Sequence, residues 1–241
     1  VRPVPAEPID EVARDLFAPL GPRYDRLAAL LSFGQDPRWR RALVSRCPVT
    51  ADGHAVDVAS GTAAVAIALA RRHGCRVTGI DSSPEMLATG RERVAAAGLA
   101  DRIELREGRA EDLPFPDRSA DGVTATYVLR YVDEPEAAIA ELVRIARPGA
   151  PVGYLDFGLP PGPLRPAWDL YTGVGLPMLG RVAGPGWEEV GRFLRGSIRR
   201  FATAYPPDRL GRAFRRAGLA DVRVDRMSLG GGVVVTGRRV R

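Results

Sequence analysis

Val56-Asp57-Val58-Ala59-Ser60-Gly61-Thr62-Ala63 decides the fold of this 241-residue chain. It is an apolar run that carries one acid and breaks into a loop of small residues just before a helical pattern. With His54-Ala55 ahead of it, the run 54–59 is mostly small or branched and lacks polar alternation, which predicts a strand buried on both faces of a parallel sheet. A lone acid in such a strand needs a reason. At the carboxyl end of a central parallel strand, Asp57 would reach the crevice where open α/β sheets bind ligands.

Downstream, strands and helices alternate: helix 64–72, strand 76–80, helix 84–97 capped by Ser82 or Ser83, strands 102–105 and 122–126, helix 134–146 and strand 152–157. That spacing predicts βαβ units and an α/β fold. Upstream, residues 1–53 form a helical leader, with two helices between Ile9 and Leu31 broken at Gly21-Pro22. A turn at Ser32-Phe33-Gly34 then precedes a short helix through Val44, with Asp36 as its N-cap and Pro37 at its first position.

After the core, 54–157, the regular pattern stops, and residues 158–205 mix Gly and Pro with Trp168, Leu170, Tyr171, Leu176, Met178, Leu179, Trp187, Phe193 and Leu194. So apolar an insert must cover something, and a helical lid is predicted. The last unit, 206–241, holds a helix at 207–217 and strands near 222–227 and 233–235, a terminal hairpin that completes the sheet of one domain.

All 35 basic residues are Arg and Asn is absent, so the net charge of +6 reflects coding bias more than a designed surface. Arg is spread along the chain, which argues against nucleic acid as a partner. Contact with anionic lipid headgroups is compatible with it. Cys47 and Cys75 lack metal spacing, so no metal is expected and reduced thiols are the simplest reading. Without a signal core or a membrane-spanning run, the expected location is cytoplasmic, at most peripheral to a membrane.

A dinucleotide site wants three spaced glycines, whereas the loop Ala59-Ser60-Gly61-Thr62 supplies one. A phosphate-free ligand with an adenosine and an amino-acid end suits it better. Gly61 lets the backbone pass close, Asp57 offers a counter-charge for an ammonium, and the helix from Ala64 presents free N–H groups to a carboxylate. S-adenosylmethionine has those groups. Asp81, 24 residues after Asp57, ends the second strand and is placed to accept both ribose hydroxyls, with Ser82 beside it and Met86 on the adenine. Arg109, Ala110 and Glu111 would wrap the base edge, and Thr126 would close the site from the fourth strand. Singly, each residue is as well explained as a turn, a helix cap or core. Their order in one βαβαβ frame carries the cofactor reading.

These residues resemble class I S-adenosylmethionine-dependent methyltransferases, which implies a Rossmann-like, mostly parallel sheet. The flanks resemble the quinone C-methyltransferases of ubiquinone and menaquinone biosynthesis. The resemblance rests on Tyr24-Asp25, Leu31-Ser32-Phe33-Gly34, Trp39-Arg40, Leu129-Arg130 with Val132, Pro166 to Tyr171, Leu176 to Arg181, and Phe193 to Phe201. The chain departs from that branch at Ala28, Arg109, Val128, Tyr131 and Thr236, which cluster where a substrate would sit.

The resemblance implies methylation of a ring carbon beside a hydroxyl, a reaction that needs the phenolic proton removed or the resulting oxyanion stabilised. It places Arg130 at that point, as a permanent cation steadying a phenolate; as a structural residue, Arg130 would instead pair with Asp133 or Glu134. Tyr24 and Tyr127 are candidates for closing the site over the methyl group. The substrate pocket is expected to draw on Phe33, Val128, Tyr131, Trp168, Tyr171 and Met178. The insert would cover an apolar tail or polycyclic ring, or form a homodimer interface. Two other functions stay open: C- or O-methylation of another aromatic or polyketide-like molecule, and cofactor binding without methyl transfer, as in a pericyclic catalyst.

Overall fold

The computed structural model describes Ala29, residues 32–175, Met178, Arg181 and residues 187–240. Its strands are β1 (His54–Val58), β2 (Arg76–Asp81), β3 (Ile103–Glu107), β4 (Gly122–Thr126), β5 (Pro151–Phe157), β6 (Leu219–Met227) and β7 (Gly232–Arg239). They form one seven-stranded sheet in the order β3-β2-β1-β4-β5-β7-β6. The first five are parallel, and β7 lies antiparallel between β5 and β6. The order reverses between β1 and β4, which opens the crevice at their carboxyl ends.

The helices are α1 (Gln35–Arg46), α2 (Ala64–His73), α3 (Pro84–Ala96), α4 (Pro135–Ile145), α5 (Leu164–Leu170), α6 (Trp187–Ala204) and α7 (Pro207–Arg216). Side chains alternate across the sheet, so each strand feeds two cores. Ala55, Val77, Leu105, Leu155 and Val234 pack with Trp39, Leu43 and Val44 of α1 and with residues of α2 and α3. Val56, Val58, Val123, Ala125, Val152 and Val235 pack on the other face with Ile139 and Leu142 of α4 and Leu210 and Phe214 of α7. The strand 54–58 is thus covered on both sides, as its composition requires.

One local expectation is corrected. Asp36 does not cap α1: the helix begins two residues earlier than expected, at Gln35, after Gly34 in a left-handed conformation, and no side chain caps it. Asp36 is turned inward, and its own N–H donates to Ser32 Oγ at 3.0 Å. In the insert, the described order is α5, a π-helical turn at Tyr171–Gly175, and the 18-residue α6. The insert is thus helical, as expected, and the apolar period of α6 runs through Val190, Leu194, Ile198 and Phe201. The leader helices expected between Ile9 and Leu31, and Tyr24 with them, lie outside the described residues.

Candidate active site

Between β1 and α2 the backbone turns through three left-handed residues, Ala59 (φ 55°), Gly61 (φ 50°) and Ala63 (φ 63°). Two of these carry a Cβ, and such strain persists only where neighbours hold it. The hold comes from β2 and α3. Ser60 N–H donates to the Ile80 carbonyl at 3.0 Å, Gly61 N–H donates to Asp81 Oδ2 at 2.7 Å, and the Arg93 guanidinium donates to Thr62 O and Oγ1. Ser83 caps α3, its Oγ accepting the Met86 N–H at 3.2 Å, and its own N–H donates to Asp81 Oδ1 at 3.0 Å. Asp81 is therefore fixed by two backbone amides at the tip of β2. Burial raises its carboxyl pKa, against the pull of those amides.

One cavity lies along this loop. It is lined by Ala59, Ser60, Gly61, Thr62, Asp81, Ser82, Met86, Arg109, Ala110, Glu111 and Thr126, and beyond them by Arg40, Tyr127, Val128, Arg130 and Tyr131. The expected cofactor residues thus converge, with one exception. Asp57 does not line the cavity. It points to the face it shares with Ala55, fully buried, where Thr124, its register partner on β4, donates to its Oδ1 at 2.7 Å. Its Oδ2 has no partner among the described residues, and neither does the buried Ser60 Oγ. Desolvation pushes Asp57 up to about 7.

Arg130 is buried, and its ion pair is with Asp156 of β5; Asp133 and Glu134 stay exposed. Tyr154 also donates to Asp156, whose carboxyl pKa is raised by burial against the opposing pull of Arg130. The guanidinium lies 5.1 Å from the Tyr127 ring, 4.6 Å from Tyr131 and 5.2 Å from Phe157, and its Nε has no partner among the described residues. The apolar exit of a parallel strand thus holds a buried cation neutralised by Asp156 and packed by three aromatic rings.

A second cavity, of about 420 Å³, adjoins the first and shares Tyr127 as a wall. Phe33, Trp39, Phe157, Trp168, Tyr171, Val190, Leu194 and Ile198 line it. Of the expected pocket residues, Phe33, Trp168 and Tyr171 are here, whereas Val128 and Tyr131 face the first cavity. Met178 lines neither: it is 60% exposed. Among the described residues no cluster of His, Cys, Asp or Glu could hold a metal ion.

The sequence reading missed Asp36, Arg40, Arg93 and Asp156, polar residues that tertiary packing alone brings to the site. It also missed Gly79 and Gly90, for which a signal existed. A glycine inside a strand or helix is costly and marks a close approach. A Cβ on Gly79 would meet Ser60 Oγ at 2.8 Å, and one on Gly90 would meet the Gly61 carbonyl at 3.1 Å.

This sheet order, with an acid at the tip of β2 holding a strained glycine loop after β1, is that of a class I methyltransferase. A solved SAM-dependent methyltransferase of Thermotoga maritima, 19% identical, superposes with a TM-score of 0.63 over 93% of this chain and 98% of that one. The chain belongs to the ubiE/COQ5 methyltransferase family, whose profile matches residues 7–241, and it is accordingly a methyltransferase. A demethylmenaquinone methyltransferase of Desulfitobacterium hafniense is 33% identical over 233 residues, 95% of this chain and 90% of that one. The ubiquinone/menaquinone biosynthesis C-methyltransferase of Geotalea daltonii is 38% identical over 152 residues, 62% of this chain and 65% of its own length.

Proposed function

We propose that the chain transfers a methyl group from S-adenosylmethionine to a ring carbon of a demethylquinol of the menaquinone type. The observation that carries this reading is the apolar cavity of about 420 Å³ walled from the cofactor cavity by Tyr127 alone among the pocket residues named for catalysis. Its volume falls in the range of roughly 300–1,000 Å³ usual for small-molecule sites. The names of the relatives at 33% and 38% identity support the same substrate class.

The residues present fit the cofactor. Asp81 offers acceptor capacity to a diol, Gly61 allows close approach, and the first turn of α2, uncapped by any side chain, suits a carboxylate. The orphaned Asp57 Oδ2 behind the loop suits a positive charge in front of it, acting across the loop without contact. When bound, S-adenosylmethionine supplies an electrophilic methyl on a sulfonium. Tyr127, stacked on Phe157 at 4.9 Å, orients an aromatic acceptor against the shared wall, and the Arg130 Nε–H is the donor for its developing oxyanion.

The same reading includes how an apolar substrate arrives. The inner face of α6, through Val190, Leu194 and Ile198, lines the cavity, while Arg192, Arg195, Arg199 and Arg200 face outward. Exposed Phe33 and Leu229 stand at the rim. A cationic face with an apolar rim suits an anionic bilayer, and it would repel a second copy of itself.

Incubation with methyl-labelled S-adenosylmethionine and a panel of demethylquinols and simple phenols tests the assignment. Labelled, carbon-methylated quinol is the expected product. Label found only on oxygen, or only on non-quinol phenols, would overturn the substrate assignment.

A further inference from the structure

Asp36 lies at the junction of the two cavities. It is 4% exposed, and it is the one carboxylate among the residues lining the apolar cavity. Tyr127, which lines both cavities, donates its hydroxyl to Asp36 Oδ1, and Arg40 Nε lies 2.9 Å from each carboxylate oxygen. Arg40 itself lines the cofactor cavity. A carboxylate has about four acceptor positions, so these donors leave lone pairs for a ligand. An ionised group in an apolar cavity is costly unless it is paired, and Arg40 supplies that pairing from the cofactor side.

We propose that Asp36 receives the ring-hydroxyl proton of the methyl acceptor. This rests on the reading of an aromatic hydroxyl substrate given above, and it assigns the base that Arg130, a permanent cation tied to Asp156, does not provide. A hydroxyl bonded to Asp36 sets its ring beside Tyr127, at the wall shared with the cofactor cavity, and leaves the apolar remainder among Trp168, Leu194 and Ile198. The O–H bond breaks and its proton passes to the carboxylate, while the electron pair left on oxygen feeds the ring. The ring carbon bonds to the methyl as the methyl–sulfur bond breaks, and the pair from that bond stays on sulfur as a neutral thioether. The hydrogen on that carbon leaves as a proton to water, which restores aromaticity, and Asp36 returns its proton to the oxygen. One proton is released overall and nothing is oxidised or reduced.

The first test needs no turnover. Binding of 1-naphthol and of 1-methoxynaphthalene to the cofactor-free protein is followed by quenching of tryptophan fluorescence. The wild-type chain is expected to prefer the naphthol by about tenfold or more, as for a hydrogen bond to a charged group. Asp36→Asn is expected to remove that preference while keeping the affinity for the ether. An equal loss for both ligands, or an unchanged preference, would overturn the assignment. Should Asp36→Asn fail to fold, Tyr127→Phe serves instead. Removing one donor frees an acceptor position on the carboxylate, so the preference for the naphthol over the ether should grow in that variant; an unchanged preference counts against Asp36. A wild-type protein that shows the naphthol preference yet methylates no demethylquinol would refute the substrate reading and leave this assignment standing.

Discussion

At the scale of a residue, Asp57 carries a cost to stability behind the loop after β1. Its carboxyl is buried with one oxygen unpaired and is pushed up to about 7 from an ordinary value of 3.8. The folded protein therefore keeps a proton that the unfolded chain sheds. The stabilisation from this group is complete below pH 3.8 and is lost as pH rises toward 7. Asp57→Asn should accordingly raise the Tm of the cofactor-free protein by about 5 °C at pH 8, with the gain shrinking toward pH 5. Calorimetric scans at the two pH values check this, and a gain that does not depend on pH would show that ionisation is not its source. The same variant should bind S-adenosylmethionine more weakly, because the charge behind the loop is gone.

At the scale of elements, the loop after β1 is shaped by its neighbours more than by its own residues. Ile80 and Asp81 of β2, Arg93 of α3 and the bare backbone at Gly79 and Gly90 fix its three left-handed residues. Gly90→Ala would gain about 1 kcal/mol in helix propensity in an open position. Here its Cβ would sit 3.1 Å from the Gly61 carbonyl and 2.8 Å from Leu105 Cδ1, so the loop must shift. Titration calorimetry should find cofactor affinity lowered about tenfold, the scale of a small misplacement at a preorganised site. Gly196→Ala, in α6 with nothing within 4 Å of the added Cβ, is the control: it should leave cofactor affinity unchanged. Equal effects of the two substitutions would refute the role given to the α3 approach.

At the scale of the whole molecule, the sheet supplies a cofactor crevice at its switch point, and α1, α5 and α6 build a separate apolar chamber against it. Among the described residues no helix is long and apolar enough to cross a membrane. If α6 rests on a bilayer, binding should follow lipid charge. Each arginine near an anionic surface contributes about 1 kcal/mol, so Arg199→Glu with Arg200→Glu should lower partitioning onto phosphatidylglycerol vesicles by more than tenfold. Co-sedimentation at moderate salt measures it, with phosphatidylcholine vesicles expected to bind neither protein. Undiminished partitioning of the double variant would remove α6 from the contact.

The sequence by itself determined the sheet and most of the lining of the cavity along the loop after β1. Both depend on local patterns, the apolar runs that become strands and the acid and glycine positions at their ends, which hold at short range along the chain. Tertiary structure alone decided which charges meet. Asp36 reads as a helix cap because Asp-Pro before an apolar run is a cap signal, yet packing of α1 onto β5 and β7 turns it toward Tyr127, 91 residues away. If Arg130 were structural, its neighbours Asp133 and Glu134 were its expected partners, yet it pairs with Asp156 because β4 and β5 lie side by side. Asp57 reads as a ligand contact, yet the alternation of β1 aims it behind the loop toward Thr124. The desolvation that makes buried charges seek one another acts only once the sheet has closed over them, and so no spacing along the chain records it.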